Sequence, residues 1–209
     1  MRLTKYAHSC LRVEHDGGVL VVDPGVFSDP AALDSADAVL VTHEHPDHLN
    51  IAAVRRQLDQ RPFPIHGPAS LTKTLGDAAE TLSPVTPGES FTAAGVAVRA
   101  YGGRHAVIHP DIPVVENLGF LINDVVYHPG DSLVVPEDTP VDTLFAPIHA
   151  PWSKFSEVVD FIRAVAPRRA YALHDGLLND NGLGVLNRQY TALSGTEYRR
   201  LEPGSRVDV

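Results

Sequence analysis

The sequence has a single cysteine, Cys10, among its 209 residues. No disulfide can therefore form within the chain, and such scarcity of cysteine is typical of a reducing compartment. The opening residues MRLTKYAHSC contain no apolar core of signal-peptide length, and no apolar run approaches the roughly 20 residues that a membrane span requires. These features predict a cytoplasmic protein that has no membrane partner.

Positive charge is also scarce, because 17 Lys and Arg residues stand against 26 Asp and Glu residues, for a formal net charge of −9. A field of this sign repels nucleic-acid phosphates, so nucleic acid is not expected as a partner unless a local basic patch overrides it. The apolar content of 44% is ordinary for a globular protein. We expect one domain over residues 1–209, with two pseudo-halves of about 1–88 and 89–209.

Strand patterns occur in groups that are followed by helical spacing. CLRVE and VLVVD, joined by HDGG, predict a hairpin, and AVLVTH predicts a third strand. Helices are expected over 51–58, within 69–79, over 155–165 and over 183–193. A Pro- and Gly-containing break near residues 84–88 precedes further strands in ESFTAA, VAVRAYG, LGFLIN, VVYH, DTLFAPI and RAYALH. Two facing sheets with helices outside would bury strands this apolar.

The stretch VTHEHPDHLN, residues 41–50, concentrates side chains that bind metals. His43 and His45 are two residues apart at a strand exit, so both can point the same way and hold one ion. Pro46 turns the chain, and Asp47 and His48 can face a second ion. Imidazole and carboxylate suit a divalent metal such as zinc. Helix capping would explain Asp47 alone, and the spacing is not that of the HExxH helix motif.

Three further candidate ligands each follow an apolar strand. His105 ends VAVRAYGGRH, Asp131 follows VVYHPG, and His174 ends RAYALH. Each of them alone is better explained by packing or by surface exposure, but together with the histidine cluster they indicate a metal site. His109 is a rival to His105, which we favour because it directly ends its strand.

In this combination the sequence resembles the metallo-β-lactamase superfamily. THEHPDH at 42–48, GGRH at 102–105, YHPGDS at 127–132 and ALHDG at 172–176 follow in that family's order, and VLVVDPG at 19–25 matches its early strand and turn. The resemblance covers essentially the whole chain and is strongest to the branch that includes the L-ascorbate-6-phosphate lactonase. It implies an α/β fold, an αββα four-layer sandwich of the metallo-β-lactamase type, with a dinuclear metal site at one edge.

The same resemblance implies the arrangement of ligands around two divalent ions. One ion would be held by His43, His45 and His105, the other by Asp47, His48 and His174, with Asp131 as a bridge. Zinc is the first choice, with manganese, iron and nickel as alternatives. A hydroxide that bridges the two ions would attack the substrate, so Asp47 and Asp131 are also predicted to be catalytic.

Other residues are candidates for supporting roles. Asp23 is either an acid that fixes the tautomer of a ligand histidine or a simple turn residue. His149 is predicted to be catalytic by donating to a substrate oxygen, and Trp152 is expected near the mouth, although loop packing is an alternative for both. His8 is expected to approach the site from the first sheet. His128 is expected to make a structural hydrogen bond.

The sequence thus predicts a metal-dependent hydrolase that acts on a small ester, lactone or phosphorylated metabolite. A nuclease or phosphodiesterase of the same superfamily is the alternative, and the net charge of −9 disfavours it. A non-hydrolytic metal or redox module is a further alternative, although diiron members typically carry Glu where this chain has His45. The substrate and the oligomeric state are left open by the sequence.

Overall fold

In a computed structural model that describes residues 1–209, the protein consists of two seven-stranded sheets with helices on their outer faces. The strands are β1 Arg2–Lys5, β2 Leu11–His15, β3 Gly18–Val22, β4 Ala38–Leu40, β5 Ile65–Gly67, β6 Leu82–Pro84, β7 Ser90–Ala93, β8 Val96–Gly102, β9 Leu118–Ile122, β10 Val126–His128, β11 Thr143–Pro147, β12 Arg169–Leu173, β13 Glu197–Arg199 and β14 Arg206–Asp208. The first sheet has the order β14-β1-β2-β3-β4-β5-β6, and the second has the order β13-β12-β11-β10-β9-β8-β7.

The helices cover the outer face of each sheet. They are α1 Ile51–Leu58, α2 Leu71–Leu75, α3 Phe155–Val165 and α4 Asp180–Leu193, with 3₁₀ helices at Pro30–Leu33 and Gly76–Thr81. The side chain of Asn50 caps α1 by accepting a hydrogen bond from the amide of Ala53 at 3.1 Å. None of these helices combines the length and the apolar character that a membrane crossing needs.

Strand residues alternate between two hydrophobic layers, as the pleat of a strand requires. Leu20 and Val22 face the second sheet and join a central cluster that contains Phe120 and Phe145, whereas Val21 faces the outer helices. A second outer cluster joins the other sheet to α3 and α4. This arrangement of helix, sheet, sheet and helix confirms the predicted αββα sandwich.

Most predicted elements are present, and the ones that were not predicted are short. β1 has four residues, and β5, β6, β13 and β14 have three each, too few for a recognisable alternation. β6 also ends at Pro84, where the expected break begins. β14 pairs with β1 in antiparallel register, Leu3 opposite Val207. Residues 206–208 therefore complete the first sheet, although the strands that precede them along the chain belong to the second.

Candidate metal centre

Histidine and aspartate side chains from both sheets meet at one edge of the sandwich. Their nitrogen and oxygen atoms form groups in which all ligand atoms lie within 4.8 Å of one another: a first group of His43, His45 and His105, a second group of His8, Asp47, His48 and His174, and a third of His43, His48 and Asp131. The structure therefore brings together all the residues that were predicted to bind metal. It adds His8 to the second group.

The local backbone brings these side chains together at the exit of β4. The amides of His48 and Leu49 both donate to the carbonyl of His45 at 2.9 Å, which closes a tight turn over residues 45–49. The loop after β3 packs directly on this turn, because a Cβ atom at Gly25 would lie 1.7 Å from the carbonyl oxygen of Asp47. Only glycine permits this approach, which explains the DPG sequence at 23–25.

Asp131 lies at the centre of the cluster. Its Oδ1 is 3.1 Å from Nε2 of His48, and its Oδ2 is 3.3 Å from Nε2 of His105 and 3.2 Å from Nε2 of His174. Burial raises the pKa of this carboxyl, but the neighbouring His48 and His174 outweigh burial and hold the pKa well below its usual range. Asp131 therefore contacts both sides of the site as a carboxylate, which is the geometry of a shared ligand.

His105 and His174 each use Nδ1 to contact a backbone carbonyl. Nδ1 of His105 lies 2.5 Å from the carbonyl oxygen of Ala106, and Nδ1 of His174 lies 2.7 Å from that of His149. A carbonyl only accepts, so the ring proton stays on Nδ1 and the Nε2 lone pair is directed at the centre. This is the tautomer that a metal ligand requires.

Asp23 and Thr42 contact the Nδ1 atoms of His48 and His43 and so orient these two rings. The carboxylate of Asp23 accepts from the amide and the hydroxyl of Thr42, each at 2.8 Å, and lies 2.7 Å from Nδ1 of His48. Because the Thr42 hydroxyl hydrogen is used, its oxygen accepts from Nδ1 of His43 at 2.9 Å. Nε2 of His43 then carries a lone pair and faces Nδ1 of His45 at 3.0 Å. Asp23 thus makes the supporting contact that was one of its two expected roles.

The residues present fit a divalent cation. Four buried atoms of the cluster make no hydrogen bond: Nε2 of His48, of His105 and of His174, and Oδ1 of Asp131. Oδ1 of Asp131 lies 3.1 Å from Nε2 of His48, but on a neutral ring whose proton is on Nδ1 both of these atoms present lone pairs. Buried polar atoms without partners are rare because each costs free energy, so several directed at one point require a common partner. Nitrogen and oxygen ligands of this kind bind zinc at about 2.0–2.2 Å.

The electrostatics of the site also favour positive charge. Burial lowers the pKa of His174, but the carboxylates of Asp131 and Asp47 outweigh burial and raise the pKa to about 9. Burial likewise opposes the charged form of His48, yet Asp131 and Asp23 raise its pKa well above the usual value. The carboxylates that stabilise a protonated imidazole here would equally stabilise a bound metal ion.

Other candidates lie around the cluster in different ways. The side chain of His109 is 61% exposed and its Nδ1 accepts from the amide of Asp111, so His109 is not part of any ligand group. Nε2 of His128 lies 2.8 Å from the carbonyl oxygen of Ser9, the expected structural contact. His149 contacts the cluster through its backbone carbonyl. Trp152 donates from Nε1 to Oδ2 of Asp131 at 2.9 Å, a closer approach than its expected place near the mouth.

The comparisons with known proteins agree with this fold. Residues 2–174 match the family described as the beta-lactamase superfamily domain. Protein Rv0786c of Mycobacterium tuberculosis is 38% identical over 216 residues, which cover 99% of each chain. A UPF0173 metal-dependent hydrolase of Polaromonas sp. is 26% identical over 239 residues, which cover 96% of this chain and 86% of the relative. Igni18, a metallo hydrolase of Ignicoccus hospitalis, shares the fold with a TM-score of 0.76 at 19% identity, covering 99% of this chain and 97% of its own.

The chain therefore belongs to the metallo-β-lactamase superfamily. Within it, the protein is a metal-dependent hydrolase, the class to which its UPF0173 relatives are assigned.

Proposed function

We propose that this protein hydrolyses a small ester or lactone with water activated between two divalent metal ions, of which zinc is the first choice. The observation that carries the proposal is the set of unpartnered buried nitrogen and oxygen atoms around Asp131. Imidazole nitrogens outnumber carboxylate oxygens in this set, and that ratio favours zinc over magnesium or calcium. Manganese, iron and nickel are the alternatives.

In this proposal His43, His45 and His105 would hold one ion, Asp47, His48 and His174 would hold the other, and Asp131 would be a ligand shared by the two groups. When bound, two such ions supply a nucleophilic water at neutral pH and polarise the substrate carbonyl. Asp47 orients the attacking water, because its side chain is 24% exposed whereas that of Asp131 is 4% exposed. The side chain of His149 remains a proposed contact to a substrate oxygen.

Apolar side chains around the metal edge favour a substrate with an apolar part. Phe27, Val107 and Leu177 are 46%, 58% and 47% exposed. The ring of Phe27 lies 5.1 Å from that of His8, Val107 follows His105 by two residues, and Leu177 follows His174 by three. Exposed apolar groups next to a polar centre are typical of a ligand site.

Among the three expected substrate classes, an ester or lactone with an alkyl or aryl substituent fits this rim best. A phosphorylated metabolite would call for a cluster of cationic donors, such as arginine forks, at the mouth.

The test is a hydrolysis panel with protein that has been loaded with zinc or manganese. We expect two ions per chain by elemental analysis, and a kcat/KM that rises with alkyl length across p-nitrophenyl esters and alkyl-substituted lactones. p-Nitrophenyl phosphate and bis-p-nitrophenyl phosphate serve as comparison substrates, and Asp131→Ala serves as the control for contaminating hydrolases. Fewer than two ions per chain would exclude the dinuclear site, and a preference for phosphate esters would exclude the substrate class.

A further inference from the structure

His8 is the member of the second group that the sequence motifs do not assign to a metal. It lies in the turn between β1 and β2 and is 1% exposed. Its φ angle is +58°, a backbone conformation that residues other than glycine rarely adopt. Both of its ring nitrogens have partners. The amide of Gly176 donates to Nδ1 at 3.2 Å, and Nε2 lies 3.1 Å from Oδ2 of Asp47.

The contact with Gly176 decides which ring nitrogen carries the proton. A backbone amide can only donate, so Nδ1 of His8 must present its lone pair to Gly176, and the proton of the neutral ring is on Nε2. Nε2 therefore donates to the carboxylate of Asp47. A His8 that bound metal through Nε2 would need its proton on Nδ1, where it would oppose the Gly176 hydrogen.

The backbone around His8 is fixed by contacts from both sheets. Its carbonyl accepts from Nζ of Lys5 at 2.5 Å and from the amide of His174 at 3.2 Å. Lys5 is itself 1% exposed and pairs with Asp175 at 3.3 Å. A buried lysine is costly unless it is paired and hydrogen-bonded, and here its donors fix the turn that carries His8. The ring therefore has little freedom to turn away from Asp47.

We infer that His8 is a positioning residue that donates from Nε2 to Asp47 and thereby orients this carboxylate toward the second metal ion. His8 is not itself a ligand. The inference rests on the proposed dinuclear site and assigns to His8 a role distinct from that of the neighbouring His48 and His174. Hydrogen-bonded partners of metal ligands contribute about 10–100-fold to metal affinity, which sets the size of the expected effect.

The experiment compares His8→Phe, which keeps an aromatic ring but has no donor, with His8→Gln, whose amide NH₂ stands at the position of Nε2. Metal-free protein is titrated with Co²⁺ and followed by visible absorption, and bound zinc is counted by elemental analysis. We expect His8→Phe to lower the affinity for the second ion by about 10–100-fold and to leave the affinity for the first ion unchanged. His8→Gln should keep close to wild-type affinity for both ions.

Two outcomes of the metal titration would overturn this inference. An unchanged affinity of the second site in His8→Phe would show that the Nε2 donor does not contribute to metal binding. An equal loss of affinity for the second ion in both variants would mean that His8 binds the metal itself. A wild-type protein that takes up fewer than two ions would overturn the proposed function as well, so the two failures are distinguishable. Should His8→Phe fold poorly by circular dichroism, His8→Asn replaces it, since its amide is too short to reach Asp47. Long-range ¹H–¹⁵N spectra of the metal-free wild type should show the Nε2–H tautomer at His8, and an Nδ1–H tautomer would contradict the inference.

Discussion

The two sides of the metal edge are supported by different chemistry. In the first group, His43 contacts the hydroxyl of Thr42 and His105 contacts a backbone carbonyl, both of them neutral. In the second group His174 also contacts a backbone carbonyl. His48, however, contacts the carboxylate of Asp23 directly, and the carboxylate of Asp47 contacts His8. The second group therefore depends on charged or strongly polar side chains that contact its ligands. Substitution of these side chains should lower metal affinity more than substitutions behind the first group.

Replacing Asp131 should abolish the distinction between the two sides, because this carboxylate contacts both. We expect Asp131→Ala to lower the affinity for both ions and to lower turnover to below about one-thousandth of the wild-type rate, since charge stabilisation and water activation are lost together. The fold should persist, because its core consists of the apolar strands. Metal content, circular dichroism and turnover are measured together, with the exposed Asp111→Ala as the matched control. Full activity with two ions bound would contradict the shared role.

Removing the buried ion pair behind the second group should cost folding stability. Asp175→Asn removes the carboxylate that both Lys5 and Arg200 contact, and we expect the free energy of unfolding to fall by roughly 3–5 kcal/mol. Urea denaturation measures this change. Asp208→Asn is the matched control, because its contact with Arg2 is exposed and should contribute at most about 1 kcal/mol. Similar losses of unfolding free energy in the two variants would mean that the buried ion pair of Lys5 contributes no more to stability than an exposed one.

Substitution of Asp23 should sharpen the comparison between the two groups. Asp23→Asn removes the carboxylate that accepts from His48, and we expect the affinity for the second ion to fall by about 10–100-fold, with a smaller change at the first. Thr42→Ser keeps the hydroxyl and is the control. Stepwise Co²⁺ titration separates the two sites, and an equal loss at both would show that the support behind them is shared.

The smallest expected effect concerns the apolar rim, which has a residue on each side. Phe27→Ser and Val107→Ser should each lower kcat/KM for a long-chain ester by up to about tenfold, in line with the transfer free energy of a buried apolar side chain, and should spare the acetyl ester. Val185→Ser, an exposed apolar residue on α4, should change neither. The variant with the larger loss of kcat/KM identifies the side on which the alkyl chain lies. If the loss does not depend on the chain length of the ester, the apolar rim does not contact the substrate.

The sequence predicted the ligand candidates because each belongs to a local pattern, a polar residue that directly follows an apolar strand. For the support behind them it offered Asp23 and the approach of His8, but not which ligands these two residues contact. His8 and Asp47 are 39 residues apart and Lys5 and Asp175 are 170 apart, so their contacts exist only after both sheets have packed. The approach of Trp152 to Asp131 likewise depends on a loop conformation that no periodicity encodes. The longer strands and the helices were predicted well. Among the three-residue strands, β4 and β10 were predicted because they lie in apolar runs, whereas β5, β6, β13 and β14 were not, because hydrogen-bonding neighbours specify them more than their own residues do.

The pairing of β14 with β1 has a consequence for the order of folding. During synthesis the first sheet's strands β1 to β6 leave the ribosome early, but β1 gains its outer neighbour only when residues 206–208 have been made. Contacts of such large sequence separation close late and slow the folding reaction. In the same way, the VTHEHPDHLN segment is made well before His174, so the predicted ligand set is complete only late in synthesis, and lasting capture of metal should be a post-translational event.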